Sequence, residues 1–582
     1  MSPDSPFLIV PRIVSTAEPI PANAPVPVIF ARDANTAALA PIARPAVAVI
    51  PQYSTWNDFT YYFTARLLVL LPQQQPVPFD MHFMVSGFDR TDDFFKQLLL
   101  HQPWVPIELA NASYVGILDN VESYGSLIEL LGFARAMRSL RLLGDAVVLR
   151  TEGMDTARLA LFDTDRFHLG ALRASSNYVA FRHGRRYLRP EPQAPAPDSA
   201  TSFHMATNLL AADNPYDIDF DFRSDELNRD RVAVLIGRNG TGKTQLLLSL
   251  IRSQRSPQVG EPAVSTVFET APTFSRLMVF SSVASDSYPR SIPPWEGVDY
   301  QYFSMIANTD TEADASTGAL IDCLRDHRQF EPFSQGMPFS GPSRLNMLER
   351  SLAPLSFSKT IHLPLRDQSE PHDLFDVRTW QGRAYFPLFR SLNEQRQLQL
   401  VRMVDWSRSP VTFGLGEAPR TLSSGEQAML RFAAQAVGSI EQGSMLLFDE
   451  PETHLHPNYV SDFMSILHTL LAATRSVAII VTHSAYIVRE VPRQRVRILS
   501  LKERVISIDQ PRLQTFGASI DSISQFVFGD SDISHGYQDL LVDWVNRLGP
   551  EVTIERIVQE HGESLNPETL SYVAHLLRMR QQ

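Results

Sequence analysis

The apolar positions of this chain change rhythm several times, and each rhythm predicts a different element. Tyr216-Asp-Ile-Asp-Phe-Asp-Phe222 alternates apolar and acidic residues with period two, which predicts a strand with one face buried and one face wet. Val232-Ala-Val-Leu-Ile236, Met445-Leu-Leu-Phe448 and Val477-Ala-Ile-Ile-Val481 are apolar without a break. Such runs suit central parallel strands covered on both faces. Between the last two, Val460, Phe463, Ile466, Leu467, Leu470 and Leu471 recur at helical spacing. Strand, helix and strand in that order predict a βαβ crossover. Nearer the N-terminus, Phe59–Leu70 reads as strand and Leu127–Leu143 as helix. Ala319–His327, Arg344–Leu352 and Phe386–Asp405 read as helices broken by loops rich in Pro and Ser, and the chain beyond about Thr515 reads as short helices. No heptad pattern runs long enough for a coiled-coil arm, and no repeat is visible.

Composition divides this pattern into parts. The 582 residues, 44% of them hydrophobic, are too many for one core, so two or three domains are expected. Residues 1 to about 50 are rich in Pro and Ala and read as an extended arm. Residues 51–187 form a candidate N-terminal domain, and the Pro-rich stretch 188–200 reads as a linker. A second domain spans 201–510, with an inserted helical lobe at about 255–420, and 511–582 form a helical tail. The single cysteine, Cys323, excludes a disulfide framework and a Cys-based zinc site. A net charge of −12 argues against a bulk nucleic-acid coat. The start lacks the pattern of a secretory signal, and no uncharged apolar run approaches the roughly 18 residues a membrane helix needs. The expectation is a cytoplasmic protein that does not enter a membrane. Lysine occurs only at 96, 243, 359 and 502, which makes Lys243 more telling than usual.

Lys243 lies in Gly237-Arg-Asn-Gly-Thr-Gly-Lys-Thr244, which fits the phosphate loop G-x-x-x-x-G-K-[ST]. A buried strand delivers the loop, and Gly237, Gly240 and Gly242 let the amides of Arg238, Asn239 and Thr241 close around phosphates. Lys243 supplies a point charge, and Thr244 a hydroxyl for Mg²⁺. The following helix aims its N-terminal dipole at the anion. Met445-Leu-Leu-Phe-Asp-Glu450 is an apolar strand ending in two carboxylates. Asp449 there suits Mg²⁺, and Glu450 suits a nucleophilic water. Val481-Thr-His483 ends another buried strand and offers His483 to a γ-phosphate, although a strand-end histidine that caps the next helix accounts for it too. Leu422-Ser-Ser-Gly-Glu-Gln427 opens a helix, where Ser423, Ser424 and Gly425 form a cap with free amides. Taken alone, that segment is an ordinary helix cap. Its order between the phosphate loop and the acidic strand gives it more weight.

Together these motifs resemble the ATP-binding-cassette (ABC) ATPase superfamily over roughly residues 210 to 510. Gly237–Thr244 looks like its Walker A and Met445–Glu450 like its Walker B. Leu422–Gln427 resembles the signature, Thr453–His456 the D-loop and His483 the switch histidine. The resemblance implies an α/β fold: an ABC-type P-loop ATPase head, with a mixed, largely parallel central sheet, an antiparallel β subdomain and the inserted helical lobe, beside a smaller N-terminal α+β domain. It also implies ATP and Mg²⁺ as ligands and a head-to-tail homodimer. In that dimer Ser423, Ser424, Gly425 and Glu426 of one chain complete the ATP site of the other. Glu426 stands where transporters have glutamine. Asp449-Glu-Pro-Glu-Thr-His-Leu-His-Pro457 is similar to soluble ATPases of the AAA_21 group related to the overcoming-lysogenization-defect nucleases. It also resembles the ATPase subunits of Septu and retron-associated antiphage systems, as do Thr515–Gly529 and, more weakly, Trp56–Tyr61. That resemblance implies a dimeric switch or sensor that governs a partner effector, a nuclease.

Two departures stand out. The strand Leu277-Met-Val-Phe280 runs into Ser281-Ser282-Val-Ala-Ser285, with no glutamine for a Q-loop. Tyr216, Phe220 and Phe222 read as core rather than as an adenine platform. Arg182-His-Gly-Arg-Arg-Tyr187 and Arg493-Gln-Arg-Val-Arg497 leave room for nucleic acid or an acidic partner, against the plainer reading of solvated turns paired with local acids. Two other function classes fit less well. A repair or chromosome ATPase of the RecF or SMC type would want a coiled coil, and a transporter subunit would want the Q-loop.

Overall fold

In the computed structural model, the described residues are 26–582 without 54–60, 191–201, 224–230, 256–265, 284–285, 306–311, 331–341, 367–376, 391, 415–417, 454, 529–535, 550–551, 563 and 582. Residues 1–25 of the expected arm, 191–200 of the linker, and Trp56, Phe59, Ser285, His454 and Gly529 therefore lie outside them.

The N-terminal part is built on β1 (Val28–Ala31), β2 (Ala46–Pro51), β3 (Thr64–Leu70), β4 (Val77–Val85), β5 (Trp104–Pro106) and β6 (Tyr114–Leu118). They form one sheet of order β5-β1-β2-β3-β4-β6, in which β1 and β2 run parallel. Residues 28–51 thus contribute two strands and a short helix and are not an extended arm, and this corrects the reading from composition. The residues of β1 and β2 are all buried, while Pro27, Pro41, Pro45 and Pro51 sit at strand ends or between strands, where no ladder hydrogen bond is lost. One sheet face carries α1 (Ala34–Leu39). The other packs on α2 (Thr91–Leu98), α3 (Val121–Leu131), α4 (Phe133–Leu142), α5 (Ala146–Glu152), α6 (Thr156–Leu159) and α7 (Ser175–His183), through a core that includes Phe30, Phe83, Tyr124 and Phe167.

The second part is organised by a seven-stranded sheet. Its strands are β9 (Val232–Gly237), β11 (Leu277–Ser281), β12 (Tyr300–Ser304), β18 (Met445–Asp449), β19 (Val477–Thr482), β20 (Val496–Lys502) and β21 (Val505–Asp509). The order is β12-β11-β18-β19-β9-β20-β21, and only β21 is antiparallel. The three unbroken apolar runs become β9, β18 and β19, side by side and buried on both faces. On one face lie β7 (Ser202–Thr207), β8 (Tyr216–Asp221) and β10 (Val267–Phe268), an antiparallel sheet of order β10-β7-β8, together with α8 (Lys243–Ser253). Strand β8 buries Tyr216, Ile218 and Phe220 and leaves Asp217 and Asp219 exposed, as its period predicts.

The other face is covered by α9 (Glu312–Arg325), α10 (Arg344–Leu352), α12 (Ser424–Ser439) and α13 (Pro457–Thr474). The lobe at about 255–420 is only partly helical. It also contributes β11 and β12 to the central sheet, and it folds β13 (Ile361–Pro364), β14 (Arg378–Trp380), β15 (Arg383–Pro387), β16 (Val411–Phe413) and β17 (Pro419–Thr421) into an antiparallel sheet of order β14-β15-β13-β16-β17. These strands are three to five residues long, too short for period two to show. The clearest local mark is Gln381-Gly382, a two-residue turn with both φ positive (47° and 77°) that joins β14 to β15. The helix expected over Phe386–Asp405 is shorter. Pro387 ends β15, and α11 (Glu394–Met403) starts from Asn393, whose carboxamide oxygen accepts from the Arg396 amide. The chain continues through α14 (Ala485–Val488) and ends in α15 (Ile520–Phe528), α16 (Gly536–Arg547), α17 (Ile554–His561) and α18 (Pro567–Gln581), the expected helical tail. Among the described residues no helix is long and apolar enough to cross a membrane.

Candidate functional site

Parallel strands place their carboxyl ends on one edge, and here that edge collects the sequence motifs. Strand β9 ends in Gly237 and passes into the loop 238–242. Strand β18 ends in Asp449 and β19 in Thr482. Because β18, β19 and β9 are neighbours, Lys243, Thr244, Asp449, Glu450 and His483 meet over three strand ends. The loop takes the shape its glycines permit. Gly242 has φ +83°, and a Cβ there would lie 2.6 Å from the Tyr216 hydroxyl oxygen, so both conformation and space demand glycine. Tyr216, a core residue as expected, donates its hydroxyl to the Thr241 carbonyl at 2.9 Å and so ties β8 to the loop. Gly237, Arg238, Asn239, Gly240 and Thr241 complete the turn. The Lys243 ammonium donates to the carbonyls of Gly237 (2.9 Å) and Arg238 (3.2 Å). Burial holds its pKa below the ordinary lysine value, against the pull of Glu450, Asp449 and Glu452.

Asp449 is fully buried. Its Oδ2 accepts from the hydroxyls of Thr244 (2.9 Å) and Tyr288 (2.9 Å), while Oδ1 is buried and accepts no hydrogen bond from the described residues. Burial pushes its pKa up, and the two hydroxyl bonds oppose the shift. A buried carboxylate oxygen without a donor, beside a threonine hydroxyl, is an oxygen set that suits a hard divalent cation such as Mg²⁺. Tyr288 was not foreseen from the sequence. It follows β11, where a glutamine was sought, and it reaches the same carboxylate. Its position just after a buried strand beside the acidic strand was the available signal.

Glu450 has φ +50°, a left-handed conformation rare for a residue with a side chain, at the point where β18 turns away. Its Oε1 lies 3.4 Å from His483 Nδ1. The contact lowers the pKa of Glu450 and raises that of His483. Behind them Glu452 accepts hydrogen bonds from the Thr482 hydroxyl and, at 3.2 Å, the His483 amide, and burial pushes its pKa up. Glu452 thus positions His483, a role visible only in retrospect in the acidic run Asp449-Glu-Pro-Glu452. The next helix, α14, is capped by Ser484 and not by His483.

The signature-like segment stands apart. Ser423 caps α12 in a reciprocal box with Glu426: the Ser423 hydroxyl accepts from the Glu426 amide (3.3 Å), and Glu426 accepts from the Ser423 amide (2.7 Å). Arg420 adds two bonds of 2.8 Å and holds the Glu426 carboxyl at a pKa of about 2. Among the described residues the hydrogen bonds of Ser423 and Glu426 stay within this cap and do not reach the phosphate loop. Ser424 is the first helical residue. Gly425 packs so close to Tyr459 that a Cβ would lie 2.5 Å from its ring.

The arginine-rich stretches are neither solvated turns nor an open basic face. Arg182 pairs with Asp322, and Arg186 with Glu441, carboxylates of α9 and of the residue that follows the C-cap of α12. Arg493, Arg495 and Arg497 donate to the carbonyls of Arg512, Arg223 and Asp219.

Residues 353–489 match a family model described as "AAA domain, putative AbiEii toxin, Type IV TA system". The match spans the signature-like segment, the acidic strand and His483 but not the phosphate loop. The chain is 25% identical to Protein ea59 of Escherichia phage lambda over 408 residues, 66% of this chain and 70% of that one. Among solved structures it is similar to UvrA2 from Deinococcus radiodurans, with 16% identity, 53% of this chain and 36% of that one covered, and a TM-score of 0.25. It is also similar to the ADP conformation of an ATP-binding cassette of an ABC transporter, with 13% identity, 58% and 98% covered, and a TM-score of 0.24. Residues 353–489 are thus similar to an AAA domain.

Proposed function

We propose that the chain binds and hydrolyses ATP with Mg²⁺ between two copies of its head, and that the nucleotide state switches a partner effector protein, a nuclease, in antiphage defence. The observation that carries this reading is the meeting of Lys243, Thr244, Asp449, Glu450 and His483 at three adjacent strand ends. Lys243 exchanges its two carbonyl contacts for β- and γ-phosphate oxygens. The Thr244 hydroxyl and the donor-free Asp449 Oδ1 hold Mg²⁺, which neutralises phosphate charge when bound. Glu450 is ionised at neutral pH and orients the attacking water and accepts its proton, aimed there by its left-handed backbone. His483, held by Glu452 and charged more readily than an ordinary histidine, donates to the γ-phosphate. The cap of Ser423, Ser424, Gly425 and Glu426, remote from its own phosphate loop in hydrogen bonding, supplies the second half of the partner copy's pocket. Support for the defence role comes from the matched family's description as a toxin component.

The test uses two variants. Lys243→Ala is expected to abolish ATP binding by calorimetry. Glu450→Gln is expected to bind ATP, hydrolyse it roughly 10²–10⁴-fold more slowly and accumulate as a dimer in size-exclusion chromatography. Wild-type turnover by Glu450→Gln removes Glu450 from the mechanism. A strictly monomeric protein that hydrolyses ATP at full rate refutes the sandwich.

A further inference from the structure

The N-terminal part meets the head along a seam that holds a half-open pocket of about 240 Å³. One wall comes from α5, α7 and the turn after it. The other comes from β12, α9 and the end of α12. Four guanidinium groups line it, those of Arg150, Arg182, Arg185 and Arg290, against the single carboxylate of Asp322. That carboxylate is already committed: Arg182 binds it through two contacts (2.6 and 2.5 Å), and the Tyr178 hydroxyl donates to it at 2.7 Å. Arg290 pairs with Asp286 at 3.1 Å and lies over the Tyr302 ring.

The other two arginines have no such partner. Arg150 donates to the Phe181 carbonyl at 3.2 Å and lies over its ring. Arg185 donates to the carbonyls of Ile292 (3.0 Å) and Tyr300 (3.4 Å), and its buried Nε has no acceptor. No carboxylate lies within ion-pair distance of either among the described residues. Arg150 is exposed and Arg185 half-buried, and burial lowers the Arg185 pKa against the pull of Asp299. Two guanidiniums without an ion-pair partner at one cavity repel each other, and an anion between them relieves that repulsion.

We infer that this seam cavity binds a small phosphate monoester or diphosphate, with Arg150 and Arg185 on the phosphate oxygens. Two unpaired planar forks match a dianion with several oxygens better than a single carboxylate does. The volume exceeds the roughly 30 Å³ of one water many times over, so a phosphate with an attached organic group fits. Phe181, Tyr302 and Phe303 offer aromatic surface to that group. Gly438 and Ser439, at the C-terminal end of α12, also line the cavity, so the ligand touches the helix that begins with the signature-like cap. This site lies outside the ATP site and stands whether or not the head hydrolyses ATP.

The test is calorimetry on the full chain carrying Lys243→Ala, which silences the phosphate loop. Pyrophosphate, AMP and a short oligonucleotide with either a 5′-phosphate or a 5′-hydroxyl are the probes. Binding is expected for the phosphate-bearing probes. Arg150→Gln is expected to weaken it about tenfold or more, and Arg150→Lys to restore part of it, with unchanged melting temperatures as the control for folding. Tight binding by AMP or pyrophosphate assigns a free small molecule. Binding confined to the 5′-phosphorylated oligonucleotide assigns the same phosphate chemistry to a strand end. No heat from any probe at millimolar concentration, or an affinity within twofold of the parent in Arg150→Gln, overturns the inference.

Discussion

Replacing Glu441 by glutamine removes one charge from a dense ionic cluster. Glu441 lies 3.0 Å from Arg186, 3.2 Å from both Arg328 and Arg344, 3.3 Å from His183 and 3.8 Å from Arg276. Four guanidiniums there face three carboxylates. Arg328 and Arg344 keep Asp326, and Arg276 keeps Asp299. Arg186 has no other ion-pair partner among the described residues, and its side chain is 17% exposed. The variant therefore strands about one buried cation, which costs about 3–5 kcal/mol when its partner is removed. The small exposure of Arg186 puts the expectation near the lower end, about 3 kcal/mol. Denaturant unfolding gives the loss from the shift in midpoint. A double-mutant cycle with Arg186→Gln isolates the pair, and a coupling of about 1.5–3 kcal/mol is expected. The four arginines hold the Glu441 carboxyl well below its ordinary pKa of 4.5. A depressed carboxylate contributes stability above the unfolded value and loses it as pH falls through the folded one. The difference between wild type and variant is thus full at pH 7 and shrinks only below pH 4.5. A loss under about 1 kcal/mol, or strict additivity in the cycle, would refute the claim that Glu441 holds Arg186 in place.

Gly425→Ala is expected to force the Tyr459 ring aside and displace the cap, so ATPase turnover drops while ATP affinity in the variant's own phosphate loop is kept; equal turnover rules out a shared site. The raised pKa of His483 makes its cation persist above the ordinary 6.5. The hydrolysis rate is expected to hold to higher pH than a free histidine would allow and then fall, and His483→Gln is expected to be slower and to lack that alkaline limb.

The central sheet was legible because each of its core strands is buried on both faces, a condition that writes an uninterrupted apolar run into β9, β18 and β19. The phosphate loop and the acidic strand end were legible for a related reason, since close backbone approach and metal binding restrict residue types to glycine and carboxylate. Strands β13 to β17 left no such trace, because a strand of three to five residues completes too few periods. Residues 28–51 were obscured by composition: proline counted against structure although it lay between the strands. Tyr288 and the partners of Arg182 and Arg186 depend on contacts between residues 140 to 255 positions apart, and local pattern carries no information about them.

Helix α12 ties these levels together. Its first residue follows the Ser423 cap, and its last turn is gripped by guanidiniums: Arg344 donates to the carbonyls of Val437 and Ile440, and Arg276 to that of Ser439. These satisfy carbonyls that a helix end leaves unpaired and place positive charge at the negative end of its dipole. Sixteen residues at about 1.5 Å each make a rod of about 24 Å. Its middle is packed against β11 and β18 through Phe432, whose ring meets Phe280 and Phe448 edge-on. A close-packed rod of this kind moves as a body more readily than it bends. If two heads close on ATP through the Ser423 cap, the displacement is therefore delivered to the Arg276, Arg344 and Glu441 cluster. That cluster is also where Arg186 anchors the N-terminal domain. On the proposed function this is the route from nucleotide to effector. It requires that Glu441→Gln, besides lowering stability, uncouple the N-terminal domain from ATP-driven closure. Protection of backbone amides in α7 from hydrogen exchange reads this directly. It should rise on ATP binding in Glu450→Gln and fail to rise when Glu441→Gln is added; an equal rise in both proteins would break the route at α12.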